Sequence, residues 1–360
     1  MLKRVLLLTS VLLMAVGWGC AQTDELELLY KSIRENDYRD LGGFHDGRAE
    51  VWQNYKAGYI DHKGREVIAC KYERGGDFNE GFCDVRLDGK VAFIDTLGCP
   101  LTKFEYDFAH SFNEGMAAVN KDGKYGFIDT NGDLVIKCQY DKVSSFTEGL
   151  ALVTKDGESS FIDKSGKVVI ALKDRKSSFF SEGVAVFYDS LGAGYMDKSG
   201  RELFNTRYEQ AFFFDKGIAW AGSEKTGFNF INHQGEVLAP CPYVYRGIFY
   251  DGLAIVRRNE KYGYIDQTLN EVIPCTYDHA SHFSEGLAEV RTDKTISFIN
   301  TKGEVVFTLK EGYFTGIEGF SEGLCPIHRG ASYGYVDREG HTTFDYVKWS
   351  DEPNEIQVLP

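Results

Sequence analysis

Apolar and polar positions alternate along this chain in runs of five or six, and one block of such runs returns nine times. The clearest copy extends from Phe112 to Asp141: Glu114-Gly115-Met116-Ala117-Ala118-Val119, then Lys124-Tyr125-Gly126-Phe127-Ile128-Asp129, then Gly132, Val135-Ile136 and Tyr140-Asp141. Its turn glycine recurs at Gly47, Gly81, Gly115, Gly149, Gly183, Gly217, Gly252, Gly286 and Gly323, and most of these steps equal the one from Gly81 to Gly115. Near-constant spacing of this kind marks a tandem array in which each unit leans on the next.

The alternation within a unit predicts three short strands. Met116 to Asn120 follows the Glu-Gly turn, Tyr125 to Asp129 follows a Lys-Asp-Gly reversal, and Leu134 to Cys138 follows Thr130-Asn131-Gly132. A Tyr-Asp pair then closes the unit. Three such strands, each about 17 Å long, use up the whole step once their turns are added. That leaves little room for a fourth long strand. The second strand carries an aromatic column, Tyr59, Phe93, Phe127, Phe161, Tyr195, Phe230, Tyr264, Phe298 and Tyr335, each followed by Ile, Met or Val. Neighbouring strand residues face opposite ways, so this strand is apolar on both sides and lies between layers. The aromatics are expected to be a core ladder. The small residue before each, often glycine, predicts close approach of another backbone or ring.

Ahead of the array, Leu26, Leu29, Tyr30 and Ile33 follow helical spacing after Thr23 and Asp24, which predicts a short amphipathic helix within residues 22–43 that caps the first unit. Residues 1–21 read as an export leader, with Lys3-Arg4 before an apolar run from Val5 to Val16 that is too short to span a bilayer. Two cuts fit. Gly19 and Ala21 suit ordinary cleavage before Gln22, whereas Gly17-Trp18-Gly19-Cys20 is similar to a lipobox and would place a lipid on Cys20. Either places the mature chain outside the cytoplasm, periplasmic, secreted or held in the envelope by a lipid anchor. The net charge of −14 disfavours nucleic acid as a partner.

These residues resemble the bacterial WG-containing (KWG) repeat, in the Lys-Tyr-Gly-Phe-Ile-Asp core of residues 124–129, the later Gly132, Val135-Ile136 and Tyr140-Asp141, and the preceding Phe-x-Glu-Gly turn. The likeness covers residues 44–346, with a tail at 347–360. Tyrosine (Tyr125, Tyr262, Tyr333) replaces the tryptophan that names the family. The sixth unit is eroded at Lys216 and Pro242, and the seventh has Leu269-Asn270 in place of the turn glycine. The resemblance implies an all-β repeat protein and supplies no reaction.

Candidate chemistry is sparse. The aspartates that end the second strand (Asp61, Asp95, Asp129, Asp163, Asp197, Asp266, Asp337) lack the nine-residue period of calcium-binding β-rolls and suit turn caps, as do Asn232 and Asn300. The Glu-Gly row (Glu80, Glu114, Glu148, Glu182, Glu285, Glu322) reads as turn chemistry, with a stacked acidic stripe as the functional alternative. Gly330-Ala331-Ser332-Tyr333-Gly334 matches a nucleophile-elbow string but sits on a hairpin instead of a strand–turn–helix. His279 and His282 have metal-like spacing without a third recurrent ligand, and read as a surface pair. The seven cysteines after the leader fall in repeat register and read as small apolar residues with free thiols, although Cys241 and Cys275 could meet across a stack. No catalytic residue, cofactor site or metal site is assigned.

The expected architecture is an all-β tandem array of nine three-stranded units, an open β-solenoid or superhelix in preference to a closed β-propeller. Nine units exceed the usual four to eight blades, and the repeat step is shorter than that of a typical four-stranded blade. Contact between the first and ninth units decides between them. The expected function is a non-catalytic binding or scaffold protein of the cell envelope, presenting its repeat surface to a protein or glycan. The alternative is an exported glycan-active enzyme using carboxylates from adjacent repeats.

Overall fold

The structure, a computed structural model, describes residues 25–316 and 319–346. Residues 1–24, which hold the expected leader and Cys20, and the tail 347–360 lie outside the described residues. The array forms nine small antiparallel sheets whose strands pair in chain order. In the third sheet the strands are Phe108–Ala109, Met116–Lys121, Lys124–Asp129 and Leu134–Tyr140. A fourth strand therefore exists, but it is only two residues long and precedes the Glu-Gly turn. This is how so short a repeat makes a four-stranded blade: the edge strand in the narrow centre shrinks, while the outer strand alternates exposed and buried positions.

The open solenoid is contradicted, because the first and ninth units touch and the ring closes as a nine-bladed propeller. Each interface between consecutive blades repeats a small set of contacts. Phe127 meets Phe146 of the following blade edge-on, ring centroids 4.8 Å apart, and Phe161 meets Phe180 in the same way. Tyr335 of blade 9 meets Phe44 of blade 1 at 5.3 Å. The hydroxyls of Tyr59, Tyr195 and Tyr264 donate to carbonyls of the following blade, at Gly76, Phe212 and Ser281. Tyr335 donates to the carbonyl of Gly42 at 2.8 Å. The closing interface is thus built like the others, without strand exchange.

The Glu-Gly row finds its reason in the ring. Glu80, Glu114, Glu148, Glu182 and Glu322 all have positive φ and are followed by a positive-φ glycine. Glutamate gains nothing from that conformation, which costs of order 1 kcal/mol or more for a residue with a Cβ. Its carboxylate is what the position keeps. Glu80 accepts the N–H of Gly115, Glu114 that of Gly149, Glu148 that of Gly183 and Glu182 that of Gly217, all at 2.8–2.9 Å. Asp46, Asp251 and Glu285 do the same for Gly81, Gly286 and Gly323. Glu322 accepts from Gly47 at 3.0 Å and closes the circle. Only the sixth blade departs, with Lys216 in the slot; there Asp215 accepts from the N–H of Phe249 at 2.6 Å.

The aromatic column is buried from Tyr59 to Tyr335, as its period predicts. The glycine before it is required at Gly126, where a Cβ would lie 2.3 Å from the carbonyl oxygen of Ile136 on the outer strand. The outer strand bulges at this point to reach over the bare backbone.

Residues 25–35 form a helix. Leu26, Leu29 and Ile33 pack in one cluster with Phe44, Ala49, Val51 and Ile60 of blade 1 and Leu324 and Tyr335 of blade 9. The glycine after each second strand shows why. Gly98, Gly166, Gly200 and Gly303 sit against an outer-strand isoleucine of the preceding blade, whereas Gly64 sits against Leu29 and Ser32 of the helix. Among the described residues blade 9 has three strands, followed by a short 3-10 helix, Thr343–Tyr346. The N-terminal helix thus takes the seat that an outer strand fills elsewhere, and bridges the closure instead of covering one free end.

The same contact accounts for the odd seventh unit. The outer strand of blade 6 pairs Ala239 with Phe230, where other blades place isoleucine or phenylalanine opposite the aromatic. Leu269, at φ 68°, replaces the glycine facing that gap and packs in the same cluster as Ala239. A large residue on one side compensates for a small one on the other. Ala239→Ile alone is expected to overpack the site and Leu269→Gly alone to leave a void, each costing about 1–3 kcal/mol. The double variant restores the glycine-isoleucine pairing and should approach the parent. Denaturant melts of the four proteins check this, and additive losses would refute the compensation.

Candidate functional site

Core and turn positions repeat around the ring, so a site must lie where the blades differ. One such place lies along the inner strands of blades 7 to 9, around a cavity of about 630 Å³. That volume falls within the range of small-molecule sites.

The blade 7 wall is a row of three side chains on adjacent strands. Tyr245 pairs with Arg257, and Arg257 pairs with Tyr262. The strands are Tyr245–Tyr250, Leu253–Arg258 and Lys261–Asp266. Cross-strand neighbours on one face touch, and the Arg257 guanidinium lies 5.6 Å over the Tyr262 ring. Its Nε is buried without a hydrogen-bond partner. Its one carboxylate neighbour, Glu260, approaches only to 4.0 Å from the exposed rim.

The blade 8 wall has the corresponding row, His279 paired with Arg291. Here the cation is already neutralised. Arg291 Nε donates to Glu289 Oε1 at 2.5 Å, and the Thr315 hydroxyl of blade 9 donates to the other carboxylate oxygen. Glu289 is 5% exposed, so this pairing satisfies a charge that burial would otherwise penalise. Its N–H donates to the Ser281 hydroxyl. His282 lies beside Tyr250, ring centroids 4.9 Å apart, and burial holds its pKa below the usual histidine value. The cavity therefore combines three tyrosines, two histidines, the hydroxyls of Ser281, Ser284 and Thr315, and a cation, Arg257, whose carboxylate neighbour Glu260 stands 4.0 Å away on the exposed rim.

Of the residues singled out from the sequence, His279 and His282 line this cavity, each with part of its ring open to solvent and, for His282, the rest packed into the wall. Among the described residues no three His, Cys, Asp or Glu side chains converge to hold a metal ion. The aspartate row lies elsewhere and caps its turns. Asp129 Oδ1 accepts the N–H groups of Asn131 and Asp133, and Asn300 does the same for Lys302 and Glu304. These bonds hold the Asp129 carboxyl below the usual carboxylate range. Ser332 opens a strand of the last hairpin, Ser332–Asp337, with no helix behind it. All seven described cysteines are free, Cys241 and Cys275 included. The Tyr-Asp aspartates tie blades together: Asp107 binds Lys90 at 2.5 Å and accepts the N–H of Asp122 in the following blade.

Arg257, Tyr245, Tyr250, Glu289 and Arg291 were not legible as a site. The available signal was negative. Glu289 occupies a slot that holds Ala118, Leu152, Val186, Trp220 and Ile255 in other blades. Glu50 and Asp84 share the slot, in blades 1 and 2. The Glu50 carboxyl is pushed up to about 7, chiefly by burial, while accepting the Gly75 N–H at 3.1 Å.

Several solved structures are similar in fold. A crystal structure of a eukaryotic initiation factor shares 12% identity over 76% of this chain and 88% of that chain, with a TM-score of 0.54. BamB from Moraxella catarrhalis shares 13% over 82% of this chain and 95% of its own, at 0.37. Apo AztD from Citrobacter koseri shares 13% over 69% and 89%, at 0.36. The first is a likeness of fold alone, and the other two superpose too loosely to carry an argument. No curated protein matches the chain in sequence. The WG containing repeat pattern matches residues 58–90, 92–125, 125–158, 194–222, 230–262 and 262–295, more than half of the chain. The chain belongs to the WG containing repeat family.

Proposed function

We propose that this is a non-catalytic binding protein of the cell envelope, and that the cavity between blades 7 and 9 receives its protein or glycan partner. The observation that carries the reading is the local break in the repeat. Tyr245, Tyr250, Tyr262, His279 and His282 gather around one concavity, and aromatic rings with a few fixed polar groups suit recognition. A binding role is favoured over glycan cleavage because Glu289 is the one carboxylate on this wall and is held by Arg291 and Thr315. Glycoside hydrolysis requires a pair. The envelope address rests on the leader pattern of residues 1–21 and Cys20.

The test is capture from envelope fractions and on a glycan panel, comparing the mature protein with Tyr250→Ala and Tyr262→Ala. Both variants should fold and lose at least tenfold in retention of the same partner. Undiminished retention by both would place the binding surface elsewhere.

A further inference from the structure

The geometry points to a ligand carrying a single carboxylate on a ring, clamped by Arg257 between the blade 7 and blade 8 walls. This inference rests on the binding reading above and names the chemistry of its ligand.

The argument begins with charge. Two arginines and one glutamate line the cavity. Arg291 and Glu289 satisfy each other, which leaves the charge of Arg257 in a protein of net charge −14. A guanidinium presents its donors in a planar fork that matches a carboxylate. Arg257 has its Nε–H buried and unpartnered, and an unmet buried donor is a cost that an incoming acceptor removes. Tyr245 and Tyr262 flank it on adjacent strands, so the fork is positioned before the ligand arrives. Glu260, 91% exposed and 4.0 Å away, is a weak, solvent-screened partner, so this cation favours one further negative charge from a ligand.

The rings supply the second half. Tyr250 and His282 stand together at 4.9 Å on the wall, with Tyr262 and His279 at 6.2 Å. Flat faces of this kind stack on aromatic rings and equally on the apolar face of a sugar. The hydroxyls of Ser281, Ser284 and Thr315 donate to the His282 carbonyl, the Phe320 carbonyl and Glu289, and their remaining lone pairs can accept from hydroxyl substituents of the ring. A uronic acid residue of a glycan and an aromatic acid share this chemistry, and the experiment separates them.

Calorimetric and ligand-observed NMR titrations of the mature protein would use three probes: a glucuronate trisaccharide, the glucose trisaccharide of the same linkage, and 4-hydroxybenzoate. The expected result is at least tenfold tighter binding of one acidic probe than of the neutral sugar. In Arg257→Gln, with an unchanged melt, that preference should vanish, the acidic probe binding no more tightly than the neutral sugar. Preference for the glucuronate assigns a uronic glycan, and preference for the benzoate assigns an aromatic acid. Equal binding of acidic and neutral sugars, or a preference that survives in Arg257→Gln, overturns the carboxylate assignment. If Tyr250→Ala still abolishes partner capture in that case, the binding reading stands and only the ligand class fails. Absence of binding by every probe also overturns the assignment.

Discussion

A chain ended after Lys310 is expected to lose cooperative folding altogether, not to shorten into a stable eight-bladed protein. In an open array, loss of a terminal unit removes one interface and leaves a shorter rod. In this ring, blade 9 stands between blade 8 and blade 1, so its removal opens both flanks. Phe298 loses Phe320, and Gly323 no longer donates to Glu285. On the other side Phe44 loses Tyr335, Gly47 loses Glu322, and the helix at 25–35 loses Leu324 and Tyr335 from its cluster. Two apolar blade faces then meet water, and exposed faces and edges invite association. Circular dichroism, melting and light scattering on the truncated protein should report aggregation or a broad, non-cooperative transition. A soluble monomer melting as sharply as the parent would contradict closure.

Phe127→Ala should cost about 3–5 kcal/mol, the usual range for truncating a buried phenylalanine. Phe127 is fully buried at the blade 3–4 interface, edge-on to Phe146, with Ala118, Ala151, Val153 and Ile162 around it. Gly126 fixes the backbone against the outer strand, which limits how far the neighbours can close over the void. The loss should appear as a lower denaturant midpoint in equilibrium unfolding. The cavity is at least three blades away from Phe127 in either direction round the ring, so retention of the partner by the folded variant should be unchanged. A variant that melts like the parent while losing its partner would make the aromatic column a binding surface.

Much of the fold was legible because it is periodic. The constant repeat step, the three long strands, the buried aromatic column and the close-approach glycine all follow from spacing and residue size. Closure was not legible, for a physical reason. The innermost strand is two residues in most blades, as at Phe108–Ala109 and Lys142–Val143, too short to show a period. The units thus look three-stranded, and the step looks too short for a blade. Closure also leaves no mark in strand order, because each blade is continuous in sequence and Tyr335 meets Phe44 through the same pair of ring positions that meet at most other interfaces. The Glu-Gly row carried a usable clue. Glutamate is a poor choice for a left-handed turn position, and its persistence signalled a partner outside its own unit.

The site was less legible than the fold. His279 and His282 drew notice through their spacing, yet their neighbours Tyr250, Arg257 and Glu289 converge only when blades 7, 8 and 9 are set side by side. Sequence spacing separates Arg257 from Thr315 by more than a full unit. What the sequence offered was the irregularity of slots that are constant in size and polarity elsewhere.

The central claim is that blade 9 lies against blade 1, and a distance measurement tests it most directly. Asn54 and Ala331 are exposed positions on the second hairpin of the first and last blades. Spin labels placed there through unnatural amino acids leave the native cysteines untouched, and pulsed dipolar spectroscopy then reads their separation. Adjacent blades pack at a sheet-to-sheet spacing of about 10 Å, so the ring predicts one narrow distribution at the short end of the measurable range, below about 30 Å with the label arms included. Nine sheets stacked as an open array would separate the same labels by roughly 80 Å, and a distribution centred there would contradict the ring.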